Sequence, residues 1–83
     1  MEKQTFYIIK LQGGAPGDYM NGMYVKYVSK YYLKYAPNIV KAKLYKTLKE
    51  AIKHRDAVAA HKYYPHPDSK IIELTIEAKE LDA

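Results

Sequence analysis

The start of one helix constrains this chain more than any other feature. Thr47-Leu48-Lys49-Glu50 has the form of a capping box, in which the threonine hydroxyl and the glutamate satisfy free amides at the helix start. Leu48, Ala51, Ile52, Arg55, Val58, Ala59, Lys62 and Tyr63 follow at helical spacing. Arg55 and Lys62 can lay their alkyl stems along the edge of that stripe. Pro65 predicts a stop near Tyr63–Tyr64, and Pro65-His66-Pro67-Asp68-Ser69 reads as a turn.

Most of the remaining segments have strand character. Thr5 to Leu11 is apolar on both faces and rich in residues that favour extended structure. A strand of that kind is central, with a helix on one side and tyrosine rings on the other. Lys70 to Ala78 alternates: Ile72, Leu74, Ile76 and Ala78 are expected to face the core, with Glu73, Thr75 and Glu77 on the sheet face away from the helix. Met23 to Val28 reads as a strand, whereas Ser29 to Tyr35 fits a short strand and a helical turn equally. Pro37 disfavours helix at Ala36. Ile39 to Lys46 reads as a short strand or extended lead-in, with Val40, Ala42 and Leu44 inward and Lys41, Lys43 and Tyr45 outward. Gln12 to Gly22 is a glycine-rich connection with Tyr19 and Met20 at its tip; it lacks the residues of a phosphate-binding loop. The expected fold is a single α+β domain over residues 1–83. One capped helix lies on a mainly antiparallel sheet of three to four strands.

Composition narrows the chemistry. The 83 residues contain no cysteine, which removes disulfides, thiolate metal sites and cysteine nucleophiles. His54 and His61 are seven residues apart, too far to chelate one ion, and read as exposed helix histidines; His66 lies in a turn. Ser29 and Ser69 have no nucleophile-elbow context. The expectation is a protein without enzymatic activity, metal or cofactor. The N-terminal MEKQTFYIIKLQGG has no basic start followed by a sustained apolar run, and no stretch is long enough to span a bilayer. A soluble, cytoplasmic protein without membrane contact is expected.

The net charge of +5 is concentrated in the middle of the chain. Between Tyr19 and Lys49 there are seven tyrosines, seven lysines and no acidic residue. Read as a strand, the segment sets Tyr24, Lys26, Lys30, Tyr32 and Lys34 on one face, with Tyr31 and Tyr35 on the other. Met20, Tyr24, Lys26, Lys30, Tyr31, Tyr32, Lys34 and Tyr35 are the candidate binding residues. Tyrosine and methionine suit protein interfaces, with lysines at the rim for an acidic partner. The same tyrosine face could serve a homodimer. The rival is a nucleic-acid surface, with lysines on phosphates and tyrosines stacked on unpaired bases. Arg55 is the only arginine, so such binding would have low sequence specificity. A lysine-solvated surface around core tyrosines is the plain alternative.

Four pieces of sequence also carry a likeness. They are Phe6-Tyr7-Ile8-Ile9-Lys10, then Gly22-x-Tyr24-Val25, then the run from Ala42-Lys43-x-Tyr45 to Glu50-Ala51, and finally Ile71-Ile72-Glu73-Leu74. Over most of its length the chain resembles small uncharacterised early-region proteins of phages and prophages of Gram-positive, especially staphylococcal, bacteria. The resemblance transfers no catalytic residue. It implies a protein that acts in the host bacterial cytoplasm by binding a host, defence or replication component, which includes ribonucleoproteins. Anti-CRISPR proteins are one example of such small binders. Many of these are acidic nucleic-acid mimics, and the basic charge here counts against mimicry. The resulting expectation is a phage-type binding protein that modulates or inhibits a host or defence protein. A lysine-driven DNA- or RNA-binding protein is the alternative.

Overall fold

Thr47 does cap the helix. Its backbone is extended, and its Oγ1 accepts the Glu50 amide at 3.2 Å. The computed structural model, which describes residues 2–82, places helix α1 at Leu48–Ala59. Glu50 in the first turn also suits the positive end of the helix dipole. The helix ends before the expected Tyr63–Tyr64 stop. Ala60 still donates to Asp56 O, but His61 N donates to Val58 O, and so does His66 N at 3.1 Å. The chain turns under itself there because the His61 side chain is drawn into the protein. Lys62 and Tyr63 therefore leave the helical stripe.

The sheet has four strands in the order β3-β2-β1-β4, all antiparallel. They are β1 at Glu2–Lys10, β2 at Tyr24–Val28, β3 at Leu33–Ala36 and β4 at Lys70–Ala78. With one helix, this is a small α+β domain of order β-β-β-α-β. The ambiguous segment resolves into a tight turn at 29–32, closed by Ser29 N donating to Tyr32 O, followed by β3. β2 meets β1 only at Lys10↔Tyr24 and then diverges. The gap is filled by the chain before the helix. Tyr45 bridges Tyr7 through two 2.8 Å hydrogen bonds, and Lys43 N donates to Val25 O.

That wedge corrects one expectation. Ile39–Lys41 is a 3-10 turn capped by Asn38, and the chain from Ala42 to Leu44 is not a strand and keeps no alternation. Ala42 is buried as expected, but Val40 is 92% exposed and Leu44 is exposed, while Tyr45 is only 1% exposed. Tyrosine is tolerated inside because its hydroxyl pairs with His54 Nδ1 at 2.8 Å.

A second correction concerns β4. The core holds Ile9, Leu11, Val25, Leu33, Tyr45 and Val58, with Tyr7 and Ile71 packed on it. Cross-strand partners share a face, and the pairs Ile9↔Ile71 and Tyr7↔Glu73 therefore place Ile71 and Glu73 on the helix side. Ile72, Leu74 and Ile76 pair with Ile8, Phe6 and Gln4 on the opposite face. The register to β1, not the alternation within β4, decides which face is covered. Lysines of β2 cannot reach the glutamates of β4, because β1 lies between them. The pair that does form is Lys3–Glu77, exposed and 3.9 Å apart.

The glycine-rich loop packs inward. Met20, expected at an exposed tip, is 5% exposed and belongs to the core. Met20 N donates to Asp18 Oδ1, and Gly14 N to Asn21 Oδ1. Gly14 lies against His66 so closely that a Cβ there would stand 2.7 Å from His66 Nε2. His66 is fully buried; its Nδ1 donates to Tyr64 O, and its Nε2 lies 3.1 Å from Asp18 Oδ2. That approach is close enough for an ion pair but is not aligned as a hydrogen bond. His61 is therefore not the exposed helix residue expected from sequence, since it is buried and lies beyond the helix; His66 lies in the expected turn but is buried.

Candidate interaction surface

Two segments far apart in sequence meet at the β2–β3 turn. His61 joins them. Its Nε2 lies 2.8 Å from the Ser29 carbonyl, which can only accept, so Nε2 carries the proton. Its Nδ1 is then bare and accepts the amides of Tyr63 and Tyr64 at 3.3 and 3.1 Å. Both ring nitrogens are used, and the imidazole acts as a pin between turn and post-helix segment.

The pin brings tyrosines together. The Tyr31 and Tyr63 rings lie 6.2 Å apart at a 36° tilt. Each keeps about half its surface exposed, at 53% and 52%. Tyr32 and Tyr64 beside them are also exposed. Lys30 Nζ lies 5.4 Å from the Tyr31 ring centre, and Lys62 Nζ 5.6 Å from that of Tyr63. These are cation–π distances, and they place an ammonium on each ring of the pair. A second pair, Tyr19–Tyr35, meets edge to face at 5.3 Å. Tyr35 lies four residues along the chain from Tyr31, so the two pairs are separated by at most about 13 Å of extended chain.

The sequence-predicted site residues do not share one face. Tyr24 and Lys34 share one face and Tyr35 takes the other, as the alternation reads, but a bulge intervenes: Val25 pairs with Tyr35 and Tyr27 with Lys34, which leaves Lys26 as the extra residue. Val25 and Val28 consequently both reach the core side, and the tyrosine–lysine alternation breaks. Lys30, Tyr31 and Tyr32 lie in the turn. Tyr35 faces the helix side opposite Val25, with Tyr19 against it. Tyr24 and Lys34 lie on the other side, as does Tyr27; Tyr24 is half-buried between Lys10 and Ala36. Met20 is in the core and cannot serve as a contact. Sequence reasoning missed Lys62, Tyr63 and Tyr64, which were assigned to the helix end. The signal was present in Tyr63-Tyr64-Pro65, an aromatic pair before a breaker.

The electrostatics are one-sided. Of thirteen lysines, Lys3 alone lies within 4.0 Å of a carboxylate among the described residues. Tyr45 is different in kind from the surface tyrosines. Burial first, and then the Glu50 carboxylate, push its hydroxyl well above the ordinary phenol range and keep it protonated.

Elsewhere, an open groove between α1 and β4 is lined by Tyr7, Leu48, Ile52, Arg55, Ile71 and Glu73, and includes none of the predicted site residues. Among the described residues, no three histidine or carboxylate side chains converge as a metal site, and no helix is long and apolar enough to cross a membrane. The chain matches no known protein family, and neither a curated protein nor a solved structure shows significant similarity to it.

Proposed function

We propose that this chain is a non-enzymatic, phage-type binding protein that modulates a host or defence protein in the bacterial cytoplasm. Its contact surface is the tyrosine end: Tyr31, Tyr32, Tyr63 and Tyr64, rimmed by Lys30 and Lys62. One observation carries the reading. Two exposed aromatic segments, some thirty residues apart, are fixed against each other by a buried histidine with both nitrogens engaged. Pre-ordered, half-exposed tyrosines bind with little further loss of conformational freedom. An acidic partner surface supplies the carboxylates that the lysines lack.

The rival, lysine-driven nucleic-acid binding, is supported by the same unpaired lysines. The ring geometry favours protein, because Lys30 and Lys62 occupy ring faces that a stacked base would need. Two measurements separate the readings. Short single- and double-stranded DNA and RNA are titrated with the purified protein across a salt series. Binding with a log–log slope of about −3 or steeper would give the surface to nucleic acid. The protein and its Tyr31→Ala/Tyr63→Ala variant are also used as bait in host lysate. The proposal expects no nucleic-acid binding, and one stoichiometric protein that the variant fails to hold.

A further inference from the structure

We propose that two copies of this chain join along β4, antiparallel about a two-fold axis through Leu74, to make one continuous eight-stranded sheet. The tyrosine end takes no part.

The first ground is the state of the β4 edge. β4 is the outermost strand, and its nine pairs with β1 run from Glu2↔Ala78 to Lys10↔Lys70 without a shift. Exposed edges are normally short, bulged or interrupted by proline or lysine. β3, the other edge, has four residues and lies beside the bulge. β4 is neither short nor bulged, and its only guards are charges, Lys70 at its start and Glu73 and Glu77 along it.

The second ground is an unsupported ribbon. From Glu2 to Phe6, β1 has no strand partner but β4 among the described residues. Glu2–Thr5 and Thr75–Ala78 are exposed, and the molecule is 50 Å long but 19 Å thick. Two strands alone are marginal in water, and stable sheets need a third. A second copy supplies it on the β4 side.

The third ground selects the occupant and its register. With the axis through Leu74, each Leu74 faces its counterpart, Ile72 faces Ile76, and Glu73 faces Thr75. Ile76, now 41% exposed, then lies in an unbroken apolar strip with Ile72 and Leu74 on the face away from α1. Centring the axis on Glu73 would oppose two Glu73 carboxylates, and centring it on Thr75 would oppose Glu73 to Glu77. Like charges directly opposite destabilise a strand pair. Of the registers that pair most of the strand, the one centred on Leu74 pairs all nine residues and opposes no like charges.

The test is sedimentation velocity of the full chain over a wide concentration range, with far-UV circular dichroism to confirm folding. A concentration-dependent monomer–dimer equilibrium is expected. Thr75 is exposed, so both charged variants there are compatible with the fold. Thr75→Glu sets a carboxylate opposite Glu73 twice per dimer and should weaken association about tenfold; Thr75→Lys sets a cation there and should tighten it. Tyr31→Ala/Tyr63→Ala should leave the dimer intact. A wild-type protein that stays monomeric throughout overturns the proposal. So does a dimer indifferent to both Thr75 variants, or one abolished by the tyrosine pair. Binding of added β-strand peptides by a monomeric protein would assign the edge to a foreign strand and overturn it equally.

Discussion

Tyr45 and the Tyr31–Tyr63 pair put one residue type to two uses. Tyr45 sits in the wedge between β1 and β2, its ring enclosed and its hydroxyl on His54. Tyr31 and Tyr63 hold one another at the surface with half their area in water. The histidines divide the same way: His54 and His66 hold interior joints, while His61 shapes an exterior one. The difference teaches that tyrosine count says little about function. What matters is whether each hydroxyl and ring is already spoken for by the fold.

The sharpest way to break the interior is Gly14→Ala. The added methyl would overlap His66 Nε2 and Asp18 Oδ2. Overpacking of this kind costs about 1–3 kcal/mol, and the fully enclosed imidazole places this site at the upper end. Urea denaturation would show it as a fall in midpoint. Tyr45→Phe follows, with an expected loss of about 1 kcal/mol from the vacated His54 hydrogen bond. That variant also has a signature at alkaline pH. The folded-state pKa of Tyr45 is raised, so its contribution is complete below the ordinary phenol value near 10 and is lost as pH climbs through the higher folded value. Wild-type stability should fall more steeply than that of Tyr45→Phe above about pH 10. Thr47→Ala removes the helix cap at a cost of about 1 kcal/mol or somewhat less, measurable by thermal melting. Tyr31→Ala/Tyr63→Ala is the exterior counterpart. It should change stability by no more than about 0.5–1 kcal/mol yet remove capture of the protein partner. If it unfolds the chain instead, the distinction between the two tyrosine settings fails.

Much of the framework is legible in the sequence. The Thr47 cap, the bounds of β4 and the α+β arrangement follow from local signals: a hydroxyl before a helical stripe, and a strict period of two. The misses share one cause, which is that pairing with other strands is not written locally. Ile71 and Ile72 make both faces of β4 apolar enough to be buried, and only the register to β1 chooses between them. Lys26 carries no mark of the bulge that redirects Tyr27 and Val28. Leu44 and Tyr45 exchange places because the chain from Ala42 to Leu44 is not a strand and keeps no alternation, and because His54 offers a partner that only folding brings near. Met20 is drawn in by a loop whose hydrogen bonds depend on Asp18 and Asn21. The candidate surface was half visible: Lys30, Tyr31 and Tyr32 are in it, but their partners Lys62, Tyr63 and Tyr64 come from a helix that ended early.

The pairing of β1 with β4 also sets the order in which the molecule can assemble. Its nearest rung, Lys10↔Lys70, closes a loop of sixty residues, and Glu2↔Ala78 closes one of seventy-six. The β2–β3 hairpin and helix α1 use neighbours at most twelve residues away. Chain closure over such spans delays the rewarding contacts until much entropy has been lost. The hairpin and helix therefore form first, and the long rungs zip last, from Lys10 and Lys70 outward. During synthesis β1 emerges before β4 and waits, unpaired along most of its length, until that partner arrives.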